Sequence, residues 1–249
     1  MWLARWVPVV SADERWMRIS VAFARAVTKS PDAQLCAACV DVLAVSGVGI
    51  TIMGGGQAGP VCVSDQRMAA LEDLQFTLGA GPCQDAFRLN QPIHTPRLNV
   101  ATTNRWPSFL ALAEAAGIGA VFAYPLASAG VGVGVLTIYQ DQPGDLSPTQ
   151  DSDSTALADV LTETVLSLQD AAPAGTLATG LDEAVAYRAE IYQASGMVSI
   201  QLQIPVTVAL ARIRAYAFSQ NRPIAAIAAD IVTRRLRLAD DRHEPPEGA

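Results

Sequence analysis

The side chains with the clearest chemical potential in this sequence are four cysteines, Cys36, Cys39, Cys62 and Cys83, and the histidine His94. Four cysteines in 249 residues are too few for a disulfide scaffold and are typical of cytosolic thiols. Cys36 and Cys39 have the Cys-x-x-Cys spacing of a zinc ligand pair, but no second pair completes a site. We therefore interpret these two cysteines as core residues.

Cys83 is the cysteine with the strongest case for reactivity. It follows Gly81-Pro82 at a predicted helix start, where the helix dipole would stabilise a thiolate. His94 lies between Ile93 and Thr95 in a predicted strand. No Ser/His/Asp grouping is visible, and Gly54-Gly55-Gly56 lacks the Lys-Ser/Thr of a phosphate-binding loop. The sequence therefore predicts no catalytic activity.

The composition is that of a globular protein. Hydrophobic residues make up 51% and charged residues 16%, which excludes a charge-rich disordered chain. No apolar run approaches the roughly 18 residues of a membrane span, and the N-terminus lacks the apolar region of a secretory signal. We expect a cytoplasmic protein with no membrane partner.

Hydrophobic periodicity divides the first 170 residues into helices and paired strands. A capping box at Ser11 and Glu14 opens the first helix, and Ser147-Pro148 opens a long helix to Gln169. Strand hairpins are predicted over 48–63 and 118–139, and helices over 11–27, 32–45, 66–76, 83–87, 105–116 and 147–169. Strands that arrive in adjacent pairs predict an α+β fold, an antiparallel sheet flanked by helices. Near the long helix, Asp151, Asp153 and Glu163 are interpreted as solvated charges.

A small-residue segment, 171–180, separates this part from an all-helical C-terminal part. The predicted organisation is a domain over 1–170, a linker over 171–180 and a three-helix domain over 181–249. Its helices carry apolar stripes over Ala184–Val198, Val206–Ala217 and Ile224–Leu238, two of them after a proline. Three short helices bury little area, so we expect them to pack on a partner chain or on the preceding domain.

Charge is unevenly distributed between the two parts. Residues 1–180 contain 9 basic and 16 acidic residues, whereas residues 187–238 contain seven arginines and two acids, Glu190 and Asp230. Two interpretations stay open at this point: a surface for a polyanion, or the solvated faces of small helices.

Three C-terminal segments carry a family resemblance: Tyr192–Val198, Ala209–Ala217 and Ile227–Val232. Together they resemble the ANTAR domain, the RNA-binding output module of transcription antiterminators. The first 170 residues resemble the GAF sensor domain that often precedes it. The residues that carry this second resemblance are Leu78–Ala86, Arg105-Trp106-Pro107, Tyr124-Pro125-Leu126 and Gly134-Val135-Leu136.

The resemblance implies a homodimeric regulator that binds two neighbouring stem-loops in a nascent transcript, so that a terminator hairpin does not form. The candidate RNA-binding residues are Ser195, Gly196, Met197, Arg212, Arg214 and Arg222. Small residues at 194–196 allow another backbone to approach closely, and a glycine within a helix costs about 1 kcal/mol and needs a reason. Ser195 stands where the family commonly has lysine.

The resemblance also implies a sensor pocket, for which Cys83, His94 and Tyr124 are the candidate residues. Its signal, a small molecule or a protein, and any cofactor are unknown; GAF-type pockets elsewhere hold haem, bilins or cyclic nucleotides. We favour a hydrogen-bonded strand histidine over a haem ligand at His94. Two alternatives remain: a helix-turn-helix DNA-binding regulator, and a GAF-type methionine sulfoxide reductase that uses Cys62 and Cys83.

Overall fold

The computed structural model describes residues 11–29, 35–54, 57–98, 105–171, 188–220 and 222–238. The predicted linker, apart from Ala171, and the start of the first C-terminal stripe lie outside these residues. The helices are α1 (Ala12–Lys29), α2 (Leu35–Leu43), α3 (Gln66–Leu78), α4 (Pro82–Leu89), α5 (Pro107–Ala115), α6 (Pro148–Asp170), α7 (Ala189–Leu202), α8 (Val206–Ser219) and α9 (Ile224–Val232). The strands are β1 (Gly47–Gly54), β2 (Gln57–Val63), β3 (Ile93–Thr95), β4 (Ala120–Ser128) and β5 (Val131–Gln140).

The five strands form one sheet in the order β2-β1-β5-β4-β3, and every pair is antiparallel. Both predicted hairpins are present, and the predicted α+β class is confirmed. The pairing of β1 with β5 sets Gly47 opposite Tyr139, where a Cβ atom would collide with the tyrosine ring. A glycine is therefore required at that position.

The sheet is covered on both faces because side chains alternate along each strand. In β4, Phe122 and Tyr124 point to the face covered by α1, α2 and α6, whereas Val121 and Ala123 point to the face covered by α3, α4 and α5. A strand buried on both faces reads as a continuous apolar run, which is the sequence pattern of β4 and β5.

The predicted capping box at Ser11 is confirmed, and the structure shows a second one at the predicted helix start Ser147. The Ser11 hydroxyl accepts from the Glu14 N–H at 3.2 Å, and the Glu14 carboxylate accepts from the Ser11 N–H. At α6, Ser147 and Gln150 make the equivalent reciprocal pair. Each box satisfies amide groups that the first helical turn leaves without partners.

The interpretation of the acidic residues near α6 as solvated is wrong for Asp153. Its side chain is 8% exposed and pairs with Arg15 and Arg18 of α1. The helix α1 packs along α6, and this packing converts a predicted surface charge into a partly buried ion pair. Asp151 is also engaged, through Tyr124 and His94, whereas Glu163 is exposed.

The interpretation of all four cysteines as thiols is wrong as well. Cys36 on α2 and Cys62 on β2 form a disulfide, with an S–S distance of 2.02 Å. Packing of α2 beside the edge strand brings together two residues 26 apart in sequence. Cys39 and Cys83 are free and buried, and burial raises the pKa of Cys39 to about 12.

Helices α7, α8 and α9 form a second apolar cluster, so the predicted three-helix domain is confirmed. Phe76, from α3 of the N-terminal domain, belongs to this cluster. The preceding domain thus supplies the burial that three short helices lack. Within the described ranges no single helix is long and apolar enough to cross a bilayer; α7 and α8 meet that criterion only as a pair, bent by 107°.

Candidate functional site

The interface between the two domains centres on Phe76. Its ring meets the Tyr192 ring edge to face, with centroids 6.2 Å apart. The guanidinium carbons of Arg188 and Arg214 lie 3.7 Å and 4.8 Å from the Phe76 ring centroid. One aromatic side chain of the N-terminal domain therefore contacts two arginines of the helical domain, at distances where cation–π attraction contributes.

Among the residues that the structure describes, Arg188 is the largest fully buried side chain, with 2% of its surface exposed. Its Nη2 donates to the Asp73 carboxylate at 3.3 Å and to the Glu72 carbonyl oxygen at 3.4 Å. Its Nε finds no hydrogen-bond partner in the described part of the chain. Both distances exceed the 2.7–2.9 Å typical of a charge-assisted hydrogen bond, so this buried cation is incompletely paired.

Arg214, one of the predicted RNA-binding residues, lies in the same interface. It packs over Gly79, where a Cβ atom would lie 2.9 Å from the Arg214 Nη1 and where the backbone has a φ of 62°. Burial lowers the pKa of Arg214, and its Nε lacks a described partner. In this arrangement α3 covers the Arg214 side chain.

A second contact joins the domains at the edge strand. The Tyr192 hydroxyl donates to the Ala58 carbonyl oxygen at 2.9 Å, and it accepts a short hydrogen bond from the Ala58 N–H. Tyr192 therefore behaves as an added partner for β2, whose outer edge would otherwise expose these groups.

The small-residue step on α7 divides between the core and the surface. Ser195 is fully buried, and its hydroxyl donates to the Ile191 carbonyl at 2.8 Å. Gly196 is partly exposed, and a Cβ atom there would meet nothing within 4 Å. Met197 packs against the helical cluster. No close approach within the described chain explains the glycine.

The remaining predicted arginines lie toward the surface. Arg212 is partly exposed on α8. The Arg222 Nη2 donates to Asp230 at 2.7 Å, and Arg235 donates to the same carboxylate at 3.1 Å. These two hydrogen bonds, first that from Arg222, lower the pKa of Asp230. The charge of Arg222 is thus directed along α9 in this conformation.

The N-terminal domain contains a buried polar cluster between α3 and the sheet. Thr51 donates to the Glu72 carboxylate at 2.8 Å, and the Cys83 N–H donates to the Gln75 side chain at 2.7 Å. Glu72 Oε1, Gln75 Nε2 and Thr137 Oγ1 make no hydrogen bond of normal geometry with the described residues, although Thr137 lies close enough to Glu72 to lower its pKa. Unpaired buried polar atoms indicate a place for water or for a polar ligand.

Glu72 makes this cluster sensitive to pH. Burial raises its pKa above the ordinary value near 4.5, and the hydrogen bond from Thr51 offsets part of the shift. The unfolded chain has the ordinary pKa and the folded protein has the raised one. At a pH between the two, the folded state holds a proton on Glu72 that the unfolded state releases, so the free energy of unfolding falls as pH rises. We expect Glu72→Gln to flatten this dependence and to stabilise the protein at neutral pH.

Urea unfolding at about pH 5 and about pH 7 measures the effect. The exposed residue Glu163 provides the matched control, because Glu163→Gln removes a carboxylate without changing the buried cluster. A Glu72→Gln variant that loses stability with rising pH as steeply as the parent protein would contradict the assignment.

The three predicted sensor residues do not share one pocket. His94 and Tyr124 lie on the face covered by α6, where the His94 Nε2 and the Tyr124 hydroxyl lie 3.3 Å and 2.7 Å from the Asp151 Oδ1. His94 and Asp151 also line a cavity of about 240 Å³. Cys83 lies on the opposite face, in the cluster with Ala123.

The prediction of a stabilised thiolate at Cys83 is wrong. Its side chain is fully buried, and burial raises its pKa well above the ordinary value. Desolvation of the charged form outweighs the helix start because the thiol has no access to water. Cys62, the other cysteine of the sulfoxide reductase alternative, is held in the disulfide with Cys36.

Sequence reasoning missed Glu72, Gln75 and Arg188. For the first two a signal existed: they occupy the positions of α3 that share a face with its buried apolar residues, Met68, Leu71 and Phe76. Polar residues in such positions mark a polar core site. No local signal distinguishes Arg188, since a single arginine before a helix is ordinary. In the described ranges no group of three or more His, Cys, Asp or Glu side chains could hold a metal ion.

These features define a two-domain protein in which an α+β domain holds a helical module through Phe76 and Tyr192. Residues 179–232 match the family model of the ANTAR domain, which confirms that prediction for this part of the chain. A search of the curated proteins finds no match.

Among solved structures, the chain is similar to the GAF domain of a phosphoenolpyruvate-protein phosphotransferase from Coxiella burnetii. The identity is 15%, the TM-score is 0.45, and the match covers 64% of this chain and 98% of that one. The corresponding Acinetobacter domain matches at 12% identity and a TM-score of 0.46, covering 64% and 95%. A type II free methionine-R-sulfoxide reductase from Thermoplasma acidophilum matches at 14% identity and a TM-score of 0.36, covering 61% and 92%. At these values no ligand or activity carries over to this chain.

Proposed function

We propose that this protein is a signal-responsive RNA-binding transcription antiterminator that acts as a cytoplasmic homodimer. The observation that carries the proposal is the ANTAR match over residues 179–232, a segment that includes three packed helices and four arginines, Arg188, Arg212, Arg214 and Arg222. Paired stem-loops in a nascent transcript are the proposed target, and their binding would prevent a terminator hairpin from forming.

The proposed RNA contacts combine close approach with charge. Gly196 leaves open space on α7 for a sugar-phosphate backbone. Arg212 and Arg222, together with the exposed arginines 234, 235 and 237, supply cations that release counterions from a polyanion. Ser195 supports α7 from the core in this conformation, and Arg214 joins the RNA surface after separation from α3.

The proposed control is exerted through the domain interface. As long as α3 covers Arg214, the helical domain presents one cation fewer to RNA, and its surface next to Phe76 is occupied. A signal that favours one arrangement shifts the population between the docked and the released form. The N-terminal domain is the proposed sensor, with the buried polar cluster around Glu72 as one site for its signal.

Gel shift measurements test the proposal. RNA with two tandem stem-loops, selected from a library of transcript leaders, is compared with duplex DNA of the same sequence. We expect saturable binding of the RNA pair that weakens as salt rises, because phosphate contacts dominate such affinity. Preference for the duplex would favour the alternative in which the last two helices, α8 and α9, form a helix-turn-helix that reads DNA.

Gly196→Ala separates stability from binding. Alanine removes the entropic cost of glycine within a helix, and open space surrounds the new methyl group, so we expect the free energy of unfolding to rise by about 0.5–1 kcal/mol. RNA affinity is expected to fall, because the methyl group holds the RNA backbone away from α7. Thermal unfolding and gel shifts measure the two effects. Unchanged RNA affinity would remove Gly196 from the proposed contact surface.

A further inference from the structure

A cavity of about 960 Å³ lies between the two domains, next to the Phe76 contact. Its N-terminal wall comes from α3 and α5, and its opposite wall comes from α8, the start of α9 and the residues that precede α7. Most of the lining is apolar, including Leu74, Ile191 and Ile224. Leu112 and Phe218, one from each domain, also line the cavity with 44% and 56% of their surfaces exposed.

The size and position of this cavity are those of a ligand site. Small-molecule pockets have volumes of about 300–1,000 Å³, are mostly apolar with a few polar groups, and often lie at domain interfaces. Exposed large apolar side chains that face each other across a cleft also indicate a surface that a partner covers.

The polar groups in the lining specify the charge of the ligand. Arg188 lines the cavity, is 2% exposed and has an Nε with no described partner. Arg222 lines it as well, and the first turn of α9 contributes Ile224 and Ala225. The N–H groups of a first helical turn favour negative charge. Asp73 is the acidic residue in the lining.

Among the residues that line the cavity the charge balance is positive, with Arg188 and Arg222 against Asp73, and Arg222 also donates to Asp230 outside the lining. Arg188 and Arg214 contact the same Phe76 ring, and both have a buried Nε without a described partner. Asp73 approaches Arg188 only to 3.3 Å, and burial favours the neutral form of Glu72. A buried guanidinium with unused donors carries a free-energy cost that an anion would remove.

We propose that the interdomain cavity binds an amphipathic organic anion, a carboxylate attached to an apolar chain or ring. The carboxylate lies beside the guanidinium groups of Arg188 and Arg222, and the apolar body fills the space between Leu74, Ile191 and Ile224. Such a ligand contacts both domains at once and therefore stabilises their docked arrangement. Its further effect, weaker RNA binding, rests on the proposed function.

Calorimetric titration of the full-length chain with decanoate tests the site, with decanol as the neutral analogue. We expect saturable binding of decanoate and at least about tenfold weaker binding of decanol, since a charge-assisted hydrogen bond contributes about 1.5–3 kcal/mol and 1.4 kcal/mol is tenfold. Equal affinities, or no saturable binding of decanoate up to roughly millimolar concentration, would overturn the proposal.

Two variants locate the site and one serves as control. Arg188→Gln removes the buried cation, and Ala225→Phe fills the cavity from an exposed position. Each is expected to weaken decanoate binding by about tenfold or more. The control Arg88→Gln removes an exposed arginine of the N-terminal domain that does not line the cavity, and it is expected to bind as the parent does. If Arg188→Gln fails to fold, Ala225→Phe still decides. Parental affinity in both site variants would place the ligand elsewhere and overturn the proposal.

An RNA gel shift with and without decanoate separates this proposal from the proposed function. If decanoate weakens RNA binding by the parent protein but not by the Ala225→Phe variant, the result supports both the ligand site and the proposed function. Absence of RNA binding under all conditions contradicts the proposed function and leaves the ligand site supported by its own titration. Unchanged RNA binding at saturating decanoate contradicts the stabilisation of an inhibited arrangement.

Discussion

Phe76→Ala is expected to release the helical domain from α3. The ring is buried in the helical cluster, and a buried phenylalanine replaced by alanine typically costs about 3–5 kcal/mol. The substitution also removes the aromatic partner of Arg188 and Arg214. Both arginines then gain stability by moving into water, which favours separation of the domains.

Under the proposed function, release of the helical domain exposes Arg214 to RNA, and RNA binding becomes tighter. While most molecules are in the docked form, each 1.4 kcal/mol of lost docking free energy increases the population of the released form about tenfold. We therefore expect RNA affinity to rise by about tenfold or more. A gel shift with tandem stem-loops measures this gain. Small-angle scattering of the free protein measures the accompanying expansion.

Phe109→Ala provides the matched control. Phe109 is equally buried, but it belongs to a cluster of the N-terminal domain that includes no residue of the helical domain. It is expected to lower stability to a similar degree while RNA affinity stays at the parental level. Equal RNA affinity in Phe76→Ala, Phe109→Ala and the parent would show that docking does not control the RNA surface.

Loss of the disulfide between Cys36 and Cys62 has the second large expected effect. A cross-link that closes a loop of 26 residues lowers the conformational entropy of the unfolded chain. For a loop of this length the effect stabilises the folded protein by about 3–4 kcal/mol. We expect Cys36→Ser/Cys62→Ser to unfold at lower urea concentration by a corresponding amount. Reduction of the parent protein by a dithiol is expected to have the same effect.

Cys39→Ala is the control for this experiment, because Cys39 is buried on the same helix but remains a free thiol. Its stability should stay sensitive to the dithiol. A thiol count on the denatured, unreduced protein should give two free cysteines, Cys39 and Cys83. A count of four, or a double variant as stable as the parent, would contradict the cross-link.

The local elements follow from the sequence because their causes are local. Paired runs of alternating apolar residues form the two hairpins, and Ser11 and Ser147 start helices with reciprocal hydrogen bonds. The ANTAR resemblance was likewise visible in the residue types of α7, α8 and α9. The need for a further packing surface followed from helix size alone.

The sequence predicted the candidate site far less well than the local elements, because the contacts of the site join residues that are distant in the chain. A helical wheel places Arg214 at the margin of an apolar stripe, and only the position of α3 decides that this margin is covered by Phe76. The same holds for Cys36 and Cys62, which meet because α2 packs beside β2.

The sequence by itself thus determined the order of elements, the α+β and helical parts, and the excess of arginine over residues 187–238. The tertiary structure alone decided which arginines are buried, which cysteines form a disulfide, and that a cavity lies between the domains beside their contact at Phe76. Periodicity and capping depend on residues within a turn or a strand of one another, whereas burial and charge pairing depend on which surfaces meet.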